Sequence, residues 1–285
     1  MWTLAKRNFK LYIFDKTAVF FSFLGALIAI LLVGIFLRSS FLDQLTDAYG
    51  GLVAEAQAGH IIDTWLIASA CVIAAATTGL SGLGQFVNDR ETARWRDFLV
   101  TPLPRWSITG GYILAATMVS MVMTSVVYTL GSVYCLANGT PLGAGDAVKG
   151  WLLLMLCCAG FTSLMGFIVS LLRTMSAFTS LSIVVGVLFG FLSETYVSRG
   201  GLPTSVSNVL SWLPFAQATA LVREPFTAAA VAALPAEAQQ ATIDAMGLST
   251  ATLGFAPATI AAVLAGMTLL GSALAWQVMA RTVNR

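Results

Sequence analysis

The sequence predicts an all-α integral membrane protein with six transmembrane helices. Hydrophobic residues make up 58% of the 285 residues and charged residues only 10%, whereas a soluble domain carries about 25% charged residues. The mean hydropathy is +0.84. Six apolar stretches approach or exceed the roughly 20 residues that cross a hydrocarbon core. The chain has too few polar side chains to cover the surface of a water-soluble protein of 30.1 kDa. It must therefore lie in a lipid bilayer.

The first predicted element is an interfacial helix over residues 1–14, with apolar side chains on one face and Lys6, Arg7 and Lys10 on the others. The apolar residues are Trp2, Ala5, Phe9, Tyr12 and Ile13. Such a segment lies in the headgroup plane of the cytoplasmic leaflet. The apolar run after it is too long for a signal peptide and has no convincing cleavage site, which predicts an uncleaved span.

The rest of the chain follows from its apolar stretches. Spans are predicted near 17–37, 64–86, 107–136, 150–172, 174–193 and 258–280. The fourth and fifth are separated only by Arg173, which indicates a tight hairpin. Residues 38–60 are predicted to form a loop outside the membrane. Residues 194–257 are predicted to be an extracellular segment with short helices dipping into the outer leaflet, including a helix over 227–246 broken near Pro235. A single transmembrane domain over 1–285 accounts for the whole sequence.

The distribution of lysine and arginine predicts that both termini are cytoplasmic. This topology places eleven of the fifteen cationic residues inside and four outside, as the positive-inside bias requires. The eleven are Lys6, Arg7, Lys10, Lys16, Arg90, Arg94, Arg96, Arg105, Arg173, Arg281 and Arg285. The four are Arg38, Lys149, Arg199 and Arg223.

No set of residues predicts catalysis, a metal site or nucleic-acid binding. The four cysteines, Cys71, Cys135, Cys157 and Cys158, lie in apolar runs and are interpreted as packing residues. The single histidine, His60, leaves little material for a catalytic triad or a paired-histidine metal site. A P-loop motif for ATP is also absent, and no basic, aromatic surface suited to nucleic acid is seen.

The source of energy is predicted to lie outside the chain. Ion-coupled carriers usually hold ionisable groups within the membrane, whereas here Asp63, Arg173 and Glu194 sit at the ends of predicted spans. This weakens the interpretation of the chain as an ion-coupled secondary transporter.

Charge is concentrated in Val87–Tyr112, between two apolar runs. Its charged residues are Asp89, Arg90, Glu91, Arg94, Arg96, Asp97 and Arg105. Val87–Leu99 is predicted to continue the second span as a helix, grouping Trp95, Phe98 and Leu99, until Pro102 and Pro104 end it. Such a segment can dock into a cleft on a partner, or it can be a solvated loop with positive-inside arginines. Charge alone does not separate these interpretations.

The residue pattern favours docking. The segment N-D-R-E-x-x-x-x-R-D-F-L-V-T-P-L-x-R-x-x-I-x-x-G-Y, from Asn88 to Tyr112, resembles the coupling segment of bacterial ABC transporter permeases of the ABC-2 type. Residues 7–24 resemble that family's interfacial elbow helix entering its first span. Residues 174–194 resemble its fifth span, and residues 202–223 its short outer helices.

The resemblance implies the membrane subunit of an exporter in the bacterial plasma membrane. Two six-span subunits, as a homodimer or a heterodimer, would join two copies of a separate ATPase that binds ATP and Mg²⁺. This chain would then hold no cofactor and would not be an enzyme. The implied coupling residues are Asp89, Arg90, Glu91, Arg94, Arg96, Asp97 and Phe98. Closure of the ATPases would tilt the second span.

Three polar stripes are candidates for a substrate path. They are Thr77, Ser81 and Gln85 on the second span, Thr117, Met121, Thr124 and Tyr128 on the third, and Ser176, Thr179 and Ser182 on the fifth. Small and hydroxyl residues also mark packing between membrane helices, so that interpretation stays open. An uncharged path suits an amphipathic or hydrophobic substrate, such as a drug in multidrug efflux, an antibiotic peptide or a lipid. Polysaccharide export, a non-transporting scaffold or sensor, and an ion-coupled carrier are the alternatives.

Overall fold

The computed structural model describes residues 1–31, 38–48, 53–95, 97, 104–139 and 142–282. These residues form α-helices joined by short turns, with no strand among them. The predicted all-α membrane class is confirmed. The helices are α1 (Trp2–Phe14), α2 (Lys16–Leu31), α3 (Arg38–Ala48), α4 (Glu55–Gly82), α5 (Gly84–Glu91), α6 (Arg105–Ala137), α7 (Ala144–Ser170), α8 (Met175–Leu192), α9 (Thr204–Ser211), α10 (Pro214–Ala232), α11 (Ala236–Met246) and α12 (Pro257–Thr282).

Five helical segments are long and apolar enough to cross a bilayer. They are Glu55–Glu91, Trp106–Ala137, Ala144–Ser170, Met175–Leu192 and Pro257–Val278. These correspond to the predicted second to sixth spans. The predicted first span, 17–37, falls on α2 and on residues 32–37, which lie outside the described residues, so the count of six stays a prediction.

The predicted loop over 38–60 is wrong, because α3 lies within it and α4 begins at Glu55. The sequence prediction failed here because Glu55 and Asp63 lower the local hydropathy although this part of α4 is helical. Asp63 is buried and pairs with Arg38, with Nε and Oδ1 3.3 Å apart. Trp65 packs edge-on against Phe41 of α3, so the start of α4 has its own apolar contacts.

The prediction of one continuous helix over Val87–Leu99 is also wrong. α5 ends at Glu91, and Ala93 takes a left-handed conformation with φ +60°. A non-glycine residue rarely adopts this conformation, and it ends a helix. The chain therefore turns after Glu91.

Helix α1 covers nearly the range predicted for the interfacial helix. Of the predicted apolar face, Ala5 and Tyr12 are buried against the bundle and Trp2 is 61% exposed. Leu4 and Asn8 are buried as well. α1 packs on α6, where Leu4 lies against Gly111, and its position in the headgroup plane stays a prediction.

Residues 193–256, which we call the cap segment, contain α9, α10 and α11, so the predicted short helices are present. The predicted helix over 227–246 is divided between α10 and α11, and the break at Ala233–Pro235 is confirmed. Apolar residues of α10 and α11 pack with α3 and the start of α4 in a separate apolar cluster.

Helix α4 forms the centre of the bundle, with every residue from Ile61 to Ala76 buried. α7 and α12 pack so closely that a Cβ added to Gly271 would lie 2.6 Å from the carbonyl oxygen of Ser163. Close approach through small residues is the usual basis of helix association in membranes. α8 is different, since much of its apolar surface is exposed, including Ile183 and Val187.

Candidate functional site

The end of α5 carries three consecutive charged residues, Asp89, Arg90 and Glu91, each of which contacts a different part of the bundle. We call these three residues the junction. Their contacts place the junction beside α1, α6 and the turn between α7 and α8.

Asp89 is buried at 0% exposure and accepts three hydrogen bonds. Arg7 Nη1 of α1 donates to Oδ2 at 3.0 Å, and the hydroxyl of Tyr112 in α6 donates to the same oxygen at 2.7 Å. Gln85 Nε2, one turn earlier in α5, donates to Oδ1 at 2.8 Å. A buried carboxylate is tolerated when it is paired and hydrogen-bonded in this way. Asp89 therefore ties three helices together and cannot touch a partner protein in this conformation.

Arg90 binds the end of α7. Its Nη1 donates to the carbonyl oxygens of Ser170 at 2.7 Å and Leu172 at 2.8 Å. The last carbonyls of a helix lack donors within the helix and carry its negative dipole end, so a cation is favourable there.

Glu91 binds the start of α8, where its Oε2 accepts from the backbone N–H of Met175 at 3.1 Å. Met175 is the first residue of α8, and an anion is favourable at a helix N-terminus. Arg90 and Glu91 thus form hydrogen bonds on the two sides of the turn between α7 and α8.

The exposed part of the charged segment follows the junction. Arg94 and Asp97 are exposed, and Trp95 is half-buried. Two further predicted coupling residues, Arg96 and Phe98, lie outside the described residues. The charged segment is therefore divided between inward-facing residues at 89 and 90 and an exposed turn beyond Glu91.

Four of the predicted path residues come together in one open groove of about 600 Å³ between α2, α4 and α8. They are Thr77 and Ser81 of α4 and Thr179 and Ser182 of α8. The remaining lining is mostly apolar, and no charged side chain is among the described lining residues. Two of the three predicted stripes therefore share a site.

Tyr12 lies beside this groove and joins three helices. Its hydroxyl donates to Ser81 Oγ of α4 at 3.2 Å and is also hydrogen-bonded to Ser22 of α2. Burial raises the pKa of Tyr12 above its ordinary value, so the hydroxyl stays protonated.

The other predicted path residues lie elsewhere. Thr117 lines a separate cavity with α7 and α12, and Met121 lines an open groove between α6 and α7. Thr124 is buried beside Cys158, while the hydroxyl of Tyr128 donates to the Ala147 carbonyl at 2.9 Å. The third-span stripe is therefore not brought to the groove between α2, α4 and α8.

Two remaining path residues also lie apart from the groove. Gln85 binds Asp89, and Ser176 is exposed near the start of α8 without lining the groove.

Sequence reasoning missed Arg7 and Tyr112 as partners of Asp89. Arg7 was interpreted as a headgroup cation, and Tyr112 was only the last residue of the family pattern. Patterns within one segment do not show which distant residues approach it.

Among the described residues no three His, Cys, Asp or Glu side chains cluster as metal ligands, and the four cysteines are buried.

A comparison with protein families identifies the family of the chain. The family model described as ABC-2 type transporter matches residues 1–227. The match covers the junction, the groove and the first part of the cap segment, and it ends within α10. No curated protein matches the sequence.

Proposed function

Because the chain belongs to the ABC-2 type transporter family, we propose that this permease component is the membrane-spanning subunit of an ATP-driven exporter. A permease subunit is not itself an enzyme. A separate ATPase, in two copies, binds ATP and Mg²⁺ and performs hydrolysis. The complex lies in a bacterial plasma membrane, with both termini of this chain in the cytoplasm.

One observation carries the proposal: the charged segment is fixed to the bundle at the junction and exposed just beyond it. Arg94 and Asp97 extend from the turn after α5, where they are accessible to the ATPase. Asp89 and Arg90 face the bundle. A movement imposed on the exposed turn therefore reaches several helices through short polar contacts.

The contacts of the junction would transmit this movement to other spans, in addition to tilting the second span. Arg90 contacts the end of α7, and Glu91 contacts the start of α8. Displacement of α5 thus acts on the turn between the fourth and fifth spans at the same time. Since α8 forms one wall of the groove, this route connects ATP hydrolysis with the substrate path.

The groove between α2, α4 and α8 is the proposed substrate path. Its surface combines apolar side chains with the hydroxyls of Thr77, Ser81, Thr179 and Ser182. Pockets for small molecules are commonly apolar with a few polar groups that orient the ligand. An amphipathic or hydrophobic substrate, such as a drug, an antibiotic peptide or a lipid, fits this lining best.

A second permease copy would complete the path. The groove is open along α8, where Ile183 is 64% exposed and Val187 is 55% exposed. A second copy that faces this side would close the path, and either a homodimer or a heterodimer would do so.

Copurification from native membranes tests the proposal. The chain is expected to bring down a P-loop ATPase in equal stoichiometry, and amphiphiles are expected to stimulate ATP hydrolysis by the complex. A deletion strain is expected to become sensitive to toxic amphiphiles. A chain that purifies without an ATPase, and whose deletion changes no sensitivity, would contradict the proposal and favour a scaffold, a sensor or an ion-coupled carrier.

A further inference from the structure

Arg223 is a buried arginine in α10, and the proposed function gives it no role. Its exposure is only 1%. A buried guanidinium is unfavourable unless its donors are paired. The groups around Arg223 therefore indicate what it holds in place.

One side of Arg223 contacts α4. Its Nε donates to Ser69 Oγ at 2.9 Å, and its guanidinium carbon lies 4.8 Å from the centre of the Trp65 ring. The Ser69 hydroxyl donates its own proton to the Trp65 carbonyl at 2.7 Å, so its oxygen is left to accept from Arg223. A cation above a tryptophan face adds a favourable contact.

The other side of Arg223 contacts the end of α8. Its Nη2 donates to the carbonyl oxygens of Ser193 at 3.1 Å and Glu194 at 2.9 Å. These carbonyls follow the last residue of α8, at the negative end of its dipole, where a cation is favourable. Arg223 thus caps α8 while it is bonded to α4.

Glu194 is held in position from both sides. Its backbone is left-handed, with φ +53°, which is uncommon for a residue other than glycine. Its carboxylate accepts from Arg199 Nη1 at 3.0 Å, and its carbonyl accepts from Arg223. The turn that leaves α8 is therefore fixed by two arginines.

We propose that Arg223 fixes the end of α8 to α4, so that the two helices move as one unit. At the other end of the groove, Met175 of α8 is bonded to Glu91 of α5, the helix that follows α4 directly after Leu83. The groove lies between these two joints. Its α4 and α8 walls are therefore held together at both ends.

The consequence for transport rests on the proposed function. If α4 and α8 move as one unit, substrate access changes by movement of α2 or of a second copy against this unit. It does not change by separation of α4 from α8.

A spin-label distance measurement tests the proposal in the full chain. Ala56, exposed at the start of α4, and Leu188, exposed in α8, are replaced by cysteine and labelled. The chain is placed in lipid nanodiscs, diluted with unlabelled chain so that only distances within one molecule are measured. The parent chain is expected to give one narrow distribution. Arg223→Lys, which keeps the charge but loses the forked donors, is expected to broaden it and shift it to longer distances.

Ser69→Ala gives a second, milder variant, because it removes only the acceptor on α4. It is expected to broaden the distance distribution and shift it to longer distances, to a smaller extent. If Arg223→Lys does not fold, the Ser69→Ala result alone tests the proposal. Thr78→Val is the matched control, since the buried Thr78 hydroxyl bonds only within its own helix, to the Ala74 carbonyl. Leu154→Ala, at a fully buried core position, is expected to lower thermal stability without broadening the distribution.

Parent-like distributions in the folded Ser69→Ala and Arg223→Lys chains would overturn the proposal. Broadening in Leu154→Ala equal to that in Arg223→Lys would also overturn it, because general destabilisation would then suffice. The measurement uses no ATP, ATPase or substrate. A negative result would therefore contradict the role of Arg223 but not the exporter assignment. Conversely, the absence of a copurifying ATPase would contradict the exporter assignment but not the link at Arg223.

Discussion

Glu91 accepts a hydrogen bond from the backbone N–H of Met175 at 3.1 Å, which places a carboxylate at the first residue of α8. This contact joins the end of the helical segment Glu55–Glu91 to the start of the predicted fifth span. Since Glu91 is also the last residue of α5, it connects the charged segment directly with one wall of the groove.

Glu91→Gln is expected to uncouple ATP hydrolysis from substrate. Glutamine keeps an acceptor but removes the charge that favours the helix N-terminus, a contribution of about 0.3–1 kcal/mol. Amphiphile-stimulated hydrolysis by the purified complex is expected to fall by about two- to five-fold, the factor that corresponds to this free energy, while the amount of bound ATPase stays unchanged. Glu55→Gln, which also alters a first-turn carboxylate, is the control. An equal loss in both variants would contradict the role of Glu91.

Asp89→Asn is expected to destabilise the chain. The carboxylate is buried and accepts three hydrogen bonds, and the substitution removes its ion pair with Arg7. Because the Arg7 side chain is 38% exposed and water can still reach it, the loss is expected to be about 1–3 kcal/mol. Thermal unfolding in detergent measures it. Asp15→Asn changes an exposed helix-capping residue, where asparagine caps equally well, so unfolding is expected to stay unchanged.

Arg94→Glu is expected to weaken ATPase binding without changing the fold. Arg94 is exposed, so reversal of its charge acts on a partner and not on the interior. Copurified ATPase is expected to fall about ten-fold, which corresponds to about 1.4 kcal/mol. Lys149→Glu makes the same charge change at an exposed site before the fourth span and is expected to leave binding intact. If both variants bound the ATPase like the parent chain, the exposed turn would not be the docking site.

Thr179→Trp is expected to block export by filling the groove. Thr179 is exposed within the mostly apolar lining of the groove. A strain that carries this variant is expected to be as sensitive to toxic amphiphiles as the deletion strain. Thr129→Trp, at an exposed residue of a different groove between α6 and α7, is the control and is expected to restore resistance. Normal resistance with Thr179→Trp, at normal expression, would exclude this groove as the path.

Gly271→Ala is expected to separate α7 from α12. The added methyl group would lie 2.6 Å from the Ser163 carbonyl oxygen, and overpacking of this kind costs about 1–3 kcal/mol. This exceeds the gain in helix propensity of up to about 1 kcal/mol. Gly266→Ala in the same helix meets no atom within 4 Å, so its thermal stability is expected to stay equal or rise. The two melting temperatures, measured in the same detergent, distinguish packing from propensity.

The sequence predicted the spans well because hydropathy reports which residues avoid water. The predicted fifth span, 174–193, matches α8 within one residue at each end. The start of α4 was missed because Asp63 reads as a polar boundary, although its charge is neutralised by Arg38. Hydropathy cannot include a partner that lies on another helix.

The candidate site was predicted only in part for a related reason. Charge counting identified Asp89 and Arg223 as ions, but it assigned them to water-facing segments. Both are buried, because their partners come from distant segments: Tyr112 and Arg7 for Asp89, and Ser69 for Arg223. The α4 and α8 hydroxyls could be found by their helical spacing, but their meeting across one groove depends on how the helices pack.

The close packing of α7 on α12 has a consequence for biosynthesis. α12 follows every other described helix in the chain, so the ribosome makes it after them. Until it inserts, the face of α7 around Gly160 and Ser163 has no α12 backbone against it. The packing of α7 is therefore completed only when α12 inserts, and a nascent chain cut short before Pro257 would display an uncovered α7 surface to membrane quality control.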